Sequence, residues 1–151
     1  MTASSHSDNA VNRSGVPARP VVLRPAELPS TDRGGGNKTI PLVSGKGGSQ
    51  QMLNGITIIA PAAAIALHSH NCEESVIVIE GRAVVELDGV DHALDTFDTT
   101  WVPANVPHRF KNTSKEHPLR IFWTYASVDA TRTLAATGET HSIGSEHAKP
   151  R

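Results

Sequence analysis

The stretch IALHSHNCEESVIVIEG, residues 65–81, constrains the fold of this chain more than any other part of its sequence. A strand points alternate side chains to one face, so His68 and His70, two positions apart, face the same way. The turn at residues 71–73 can reverse the chain, and Glu74 can then enter from the neighbouring strand. Two imidazoles and a carboxylate that converge on one point form a metal site.

A fourth candidate ligand lies further along the chain, in the stretch PANVPHRFKN. His108 begins another alternating segment there, and with His68, His70 and Glu74 it gives the pattern HxHxxxE…H. Three imidazoles and a carboxylate that meet in an apolar interior are costly to bury without a cation. The sequence therefore predicts one divalent transition metal per chain, held by these four side chains.

Written out in full, the two stretches read HxHxxxExxxxxxG and PxNxxHxxxN. They resemble the two motifs of the cupin family, in order and about one hairpin apart. The resemblance extends roughly from residue 54 to residue 125. It implies a jelly-roll barrel with the metal inside and the same four side chains as ligands.

The chain departs from the family pattern at three positions, none of which is a ligand. The family usually has glycine where this sequence has Ala62, Phe97 and Asn105. Asparagine tolerates a positive φ better than most residues, so Asn105 can take the place of the turn glycine. The departures therefore concern local turn geometry and leave the predicted metal site intact.

The rest of the sequence predicts an all-β fold. Nine or ten short strands follow one another at close spacing, separated by turn signals such as Asp88-Gly89, and no helical stripe exceeds two turns. Such a chain closes into a sandwich or barrel. The resemblance narrows this to a single-domain cupin jelly roll.

The domain is expected to span residues 21–138. Residues 1–20 are polar and without period, which predicts a disordered tail. Val21 to Arg24 could add an edge strand, Ser127 to Gly138 could hold a short helix, and residues 139–151 are expected to form a frayed tail. Besides His6 in the N-terminal tail, four histidines fit neither motif and are expected on the surface: His92, His117, His141 and His147.

Composition limits the classes of partner. The net charge of -1 and the 4% aromatic content argue against a nucleic-acid partner. The chain lacks an apolar run long enough for a membrane, and its single cysteine, Cys72, excludes an intrachain disulfide. We therefore expect a cytoplasmic protein with a small-molecule substrate. The family resemblance adds an expected homodimer.

Three imidazoles and a carboxylate leave coordination positions open, which is typical of a catalytic metal. With iron, the first choice, the open positions could hold substrate and dioxygen, so a dioxygenase ranks first. With manganese, nickel or zinc, an isomerase or lyase acting on a sugar or keto acid ranks second. A non-catalytic binding protein ranks third. Glu74 and Tyr125 are the candidate catalytic residues.

Overall fold

The computed structural model describes residues 18–147, in which twelve strands make up most of the regular structure. In chain order they are β1 Thr31–Gly34, β2 Asn37–Pro41, β3 Leu53–Ile59, β4 His68–His70, β5 Glu74–Glu80, β6 Ala83–Leu87, β7 Val90–Leu94, β8 Thr99–Val102, β9 His108–Asn112, β10 Leu119–Tyr125, β11 Thr131–Leu134 and β12 Thr140–Ser142. A 3-10 turn at Pro25–Glu27 and a short helix, α1 Ile143–His147, complete the described part. Most of the predicted N-terminal tail, residues 1–17, lies outside the described residues.

The strands form two six-stranded antiparallel sheets. One sheet has the order β1-β2-β3-β10-β5-β8 and the other has the order β12-β11-β4-β9-β6-β7. Inward-facing side chains of both sheets pack into one hydrophobic core. The all-β jelly-roll prediction is confirmed. Within the described residues, no helix has the length and apolar character needed to cross a membrane.

Strand β10 shows how the sequence pattern produces this core. Its buried and half-buried residues alternate without a break, and Leu119, Ile121, Trp123 and Tyr125 all face the interior. The strand lies between β3 and β5, so both of its edges are hydrogen-bonded. Each fully buried apolar side chain contributes about 2 kcal/mol relative to an exposed one. The last residues of β10 therefore hold aromatic side chains firmly inside the barrel.

All three positions at which the chain lacks the family's glycine adopt the left-handed conformation. Ala62, Phe97 and Asn105 have φ of 60°, 75° and 66°. The prediction that Asn105 takes the glycine's conformation is confirmed. For Phe97 this conformation is strained, because the Cβ crowds the backbone. The turns of the barrel are thus kept although their usual residue is absent.

Two expectations for the C-terminal part were wrong. The expected helix at residues 127–138 is replaced by β11, and part of the expected tail at residues 139–151 forms β12 and α1. Strand β11 pairs with β4 on one side and with β12 on the other. The side chain of Ile143 is only 1% exposed, and its N–H donates to the carbonyl of Ala130. The threonines of this segment match strand propensity.

The expected edge strand at residues 21–24 was also wrong, because the described chain there has no strand and Val21 and Val22 are exposed.

His147 likewise departs from its expected place on the surface. Its ring stacks on Trp123 with the ring centroids 5.4 Å apart. Burial lowers the pKa of His147 to about 4, and the nearby charge of Arg33 acts in the same direction. The folded state therefore favours the neutral imidazole.

This preference predicts a pH dependence of stability. Between pH 6.5 and about 4, the unfolded chain takes up a proton at His147 that the folded chain does not, so stability falls as the pH falls. In His147→Phe the ring contact with Trp123 is kept and this proton uptake is removed. We expect urea unfolding to show a smaller acid-induced loss of stability for the variant. The exposed His92→Gln is the control, and equal losses in His147→Phe and wild type would contradict the prediction.

Candidate metal centre

The predicted site residues lie in pairs across neighbouring strands. His68 on β4 is the register partner of His108 on β9, and Glu74 on β5 is the register partner of Tyr125 on β10. Directly opposed residues of antiparallel strands point to the same face of the sheet. The two pairs belong to different sheets, which face each other across the barrel. His68, Glu74 and Tyr125 all line one small internal cavity.

Three imidazoles form the centre of this arrangement. The side chains of His68, His70 and His108 are buried, with 3%, 2% and 1% of their surface exposed. One nitrogen from each lies within 4.8 Å of the others, and the ring centroids are 4.5 to 5.1 Å apart. The sequence prediction that these three histidines converge is confirmed by the structure.

Hydrogen bonds to the backbone determine which nitrogen of each ring can bind a metal. Nδ1 of His68 lies 2.6 Å from the carbonyl oxygen of Ala66. Nδ1 of His70 and Nδ1 of His108 each lie 2.9 Å from a carbonyl oxygen. A carbonyl can only accept, so each Nδ1 carries a proton and donates it. The Nε2 lone pairs of the neutral rings are then left for a metal, which is the usual second-shell arrangement of a metal-binding histidine.

The carboxylate of Glu74 lies against two of these Nε2 atoms. One oxygen is 3.2 Å from Nε2 of His70, and the other is 3.1 Å from Nε2 of His108. Burial alone would raise the pKa of Glu74, but the contacts with His108 and His70 outweigh it and lower the pKa. Burial would lower the pKa of His108, but the bond to Glu74 raises it. Glu74 is therefore a carboxylate in the folded protein.

The donor set fits a divalent transition metal. Nε2 of His70 is buried and has no hydrogen-bond partner among the described residues, although the Glu74 oxygen lies nearby. A lone pair that faces a carboxylate is unfavourable unless a proton or a cation lies between them. Imidazole nitrogens with one carboxylate oxygen are suitable ligands for iron, manganese, nickel and zinc alike. The assignment of Glu74 as fourth ligand stays a prediction.

Two further polar side chains extend the site. The buried hydroxyl of Tyr125 interacts with the side chains of Glu74 and Arg132. A guanidinium can only donate and a carboxylate can only accept, so the hydroxyl lies near one donor and one acceptor. Burial and the charge of Glu74 raise the pKa of Tyr125 well above its usual value. The hydroxyl therefore keeps its proton. The ring of Tyr125 also lies 4.6 Å from that of His70.

Two cavities meet at this site. The inner one, of about 20 Å³, is bounded by His68, Glu74 and Tyr125 and has room for a metal ion or a single water. The outer one, of about 560 Å³, lies in the range of small-molecule sites. Both are lined by three shared residues: Thr57, Ile65 and Arg132. A ligand in the outer cavity is thus separated from the metal centre by a thin wall.

Sequence reasoning missed Arg132, because β11 carries neither motif nor apolar alternation. Its place follows from pairing: Arg132 is the register partner of His70, 62 residues earlier in the chain. The single cysteine, Cys72, is not part of the histidine cluster. Arg109, next to the ligand His108, pairs with Glu86 at 3.1 Å and has no part in the site.

The chain is similar to one protein family model, to two Streptomyces proteins and to a solved Streptomyces structure. Residues 55–125 match the family model described as Cupin domain. The chain is 34% identical over 106 residues to polyketide synthase CurC of Streptomyces cyaneus, a match covering 69% of this chain and 68% of that protein. It is 32% identical over 97 residues to protein SchB of Streptomyces halstedii, covering 64% and 70%. Among solved structures, polyketide cyclase RemF of Streptomyces resistomycificus superimposes with a TM-score of 0.67 at 13% identity, covering 83% of this chain and 86% of that one.

The geometry predicts that His70→Ala loses most of its bound metal, because it removes one of three converging Nε2 atoms. We expect about one metal ion per chain in the wild-type protein purified without a nickel column, and less than about a tenth of that in the variant. Elemental analysis measures both. His92→Ala removes an exposed histidine and should retain the wild-type content. If His70→Ala also keeps its metal, the centre is elsewhere.

Proposed function

The chain belongs to the cupin superfamily, and we propose that within it this protein is a metal-dependent enzyme that cyclises a polyketide-type substrate. The observation that carries the proposal is the 34% identity to polyketide synthase CurC over most of both chains. The substrate class would be a linear chain with alternating ketone groups. The proposed cyclisation is redox-neutral, like the isomerase and lyase reactions that rank second in the sequence analysis.

The proposed ligands are His68, His70 and His108, with Glu74 as the fourth. A divalent metal held there would act as a Lewis acid on ketone oxygens and make the carbon between two ketones more acidic. The three imidazoles are already oriented by their backbone hydrogen bonds, so little reorganisation is needed on binding. Iron is not required for this chemistry, and manganese, nickel or zinc would serve as well.

The proposed reaction is an intramolecular aldol condensation. A carbon between two ketones loses a proton, and its electron pair forms a bond to a more distant ketone carbon of the same chain. The π electrons of that ketone move to its oxygen, which takes up the proton and becomes a hydroxyl. Loss of a second proton from the attacking carbon then forms a carbon–carbon double bond and expels the hydroxyl, which leaves with a proton as water. Atoms and electrons balance without an oxidant, so dioxygen is not consumed.

Tyr125 is the proposed proton donor in this reaction. Its hydroxyl interacts with Glu74 and Arg132, and all three residues line the inner cavity. The raised pKa of Tyr125 keeps the phenol protonated before the reaction, and the Arg132 guanidinium would offset part of the cost when the proton passes to a substrate oxygen. Arg132 would thus be a positioning residue that acts through Tyr125.

The outer cavity supports a substrate rich in carbonyl groups. Its volume of about 560 Å³ suits a chain of several ketone units. Two of its lining residues are the arginines Arg33 and Arg132, which can only donate hydrogen bonds. A polyketone offers only acceptors. The apolar wall formed by Ala63, Ile65 and Leu134 would contact the carbon chain between the ketones.

A dioxygenase, the first choice from the sequence, is the second candidate. A site with three imidazoles and one carboxylate leaves coordination positions for substrate and dioxygen when the metal is iron. Burial among Val76, Phe110 and Trp123 would shield reactive oxygen species from solvent. The two candidates differ in one measurable respect, the consumption of dioxygen.

The test is turnover of a linear tetraketide acid by the metal-loaded protein, followed by absorbance and mass spectrometry with and without air. We expect equal rates, and a product lighter than the substrate by one water. A rate that depends on dioxygen, or a product that has gained oxygen, would establish the dioxygenase instead. His70→Ala provides the metal-free control. Absence of any reaction above that control would overturn the cyclase proposal.

Tyr125→Phe tests the proton donor. The variant keeps the aromatic ring but loses the hydroxyl, so we expect kcat to fall about 100-fold with little change in KM. Metal content, measured alongside, should stay at the wild-type level. Trp123→Phe changes a neighbouring core ring without touching the Glu74 contact and serves as the packing control. A kcat within threefold of wild type would remove Tyr125 from the mechanism.

A further inference from the structure

Two arginines and a glutamate meet at the entrance to the barrel. Arg33 comes from β1 and Arg132 from β11, and between them lies the carboxylate of Glu146 from α1. One oxygen of Glu146 lies 2.9 Å from a terminal nitrogen of Arg33 and 3.8 Å from Nε of Arg132. The three side chains are 20%, 19% and 12% exposed in that order. An acidic group is thus held largely out of solvent between two cations.

The two arginines have hydrogen-bonding capacity that Glu146 does not use. Nε of Arg132 is buried and has no hydrogen-bond partner among the described residues, because Glu146 is too distant for a hydrogen bond. A buried donor without a partner is costly. Both arginine contacts also use the same oxygen of Glu146. A carboxylate placed slightly deeper could accept from both guanidinium groups at good distances.

The position of this pair connects it to the metal centre. Arg33, Arg132 and Glu146 all line the outer cavity, and Arg132 lines the inner one as well. Arg132 also interacts with Tyr125. A group bound between the two arginines therefore lies in the outer cavity, and the side chain of Arg132 connects it to Tyr125.

We propose that Arg33 and Arg132 form a subsite for a carboxylate of the substrate, and that Glu146 occupies this subsite in the free protein. The inference rests on the proposed function for the identity of the substrate, a polyketide acid. It assigns the carboxylate end of that molecule to the barrel entrance, with its ketones towards the metal centre. Binding exchanges one carboxylate for another, so Glu146 and α1 must move aside when the substrate enters.

This exchange makes Glu146 a competitor of the substrate. Because its carboxylate is attached to the chain, its effective concentration at the arginines is high and it weakens binding of a free carboxylate. Removal of the charge at position 146 should therefore strengthen binding of acids. Binding of a neutral ester should not change. Removal of Arg33 should have the opposite effect on acids.

The experiment is isothermal titration calorimetry of the zinc-loaded full chain with levulinate and with its methyl ester. Levulinate is a keto acid that does not cyclise, so binding is measured without turnover. In Glu146→Gln we expect levulinate to bind about tenfold tighter than in wild type, with the ester unchanged. In Arg33→Gln we expect the preference for the acid over the ester to be lost, and in the double variant the gain should disappear.

Glu80→Gln is the matched control, because Glu80 also pairs with an arginine, Arg120, but on the outer surface. It should leave both affinities at the wild-type value. The proposal is overturned if Glu146→Gln gains no affinity for levulinate, if the ester gains as much, or if the gain survives Arg33→Gln. Since none of these readouts needs catalysis, a protein that fails to cyclise the tetraketide could still pass this test, and an active cyclase could fail it.

Discussion

The hydrogen bonds from the Nδ1 atoms of three histidines to backbone carbonyl oxygens are the constraint on which the site depends. They orient His68, His70 and His108 and select one tautomer for each ring. The accepting carbonyls belong to the barrel itself, so the directions of the Nε2 lone pairs are set by the backbone. Precise placement of metal ligands then needs no flexible side chain, and the cost of burying three imidazoles is offset by three hydrogen bonds and by the cation that the centre can hold.

The two sheets contribute different side chains to this centre. The sheet containing β4 and β9 supplies the imidazoles, whereas the sheet containing β5 and β10 supplies Glu74 and Tyr125. The imidazole nitrogens and the Glu74 carboxylate therefore face each other across the barrel interior. The hydroxyl of Tyr125 and the guanidinium of Arg132 continue this polar path towards the outer cavity. The rest of the outer cavity is lined by both polar residues, such as Asn37 and Thr39, and apolar ones, such as Ile65 and Leu134.

The C-terminal segment supplies part of the lining of the outer cavity. Strand β11 adds to β4 and brings Arg132 beside His70, while α1 brings Glu146 to the lining of the outer cavity and Ile143 into the core. Ile143 anchors the segment by burial, and Glu146 attaches it by charge to β1. An anchor that is partly ionic can be exchanged for a charged ligand, whereas a wholly apolar one could not be displaced by a carboxylate.

Local sequence alone determined the strand character of the chain and the common face of its histidines, because alternation with a period of two follows from strand geometry. The pattern HxHxxxE…H also indicated the histidines that converge. Only the tertiary structure decided that Arg132, Glu146 and His147 belong to the site and its surroundings. Their placement depends on the pairing of β11 with β4 and on the packing of α1 on Trp123. These contacts, together with the ion pair of Glu146 and Arg33, join residues between 24 and 113 positions apart, and no short-range pattern encodes contacts between such distant segments.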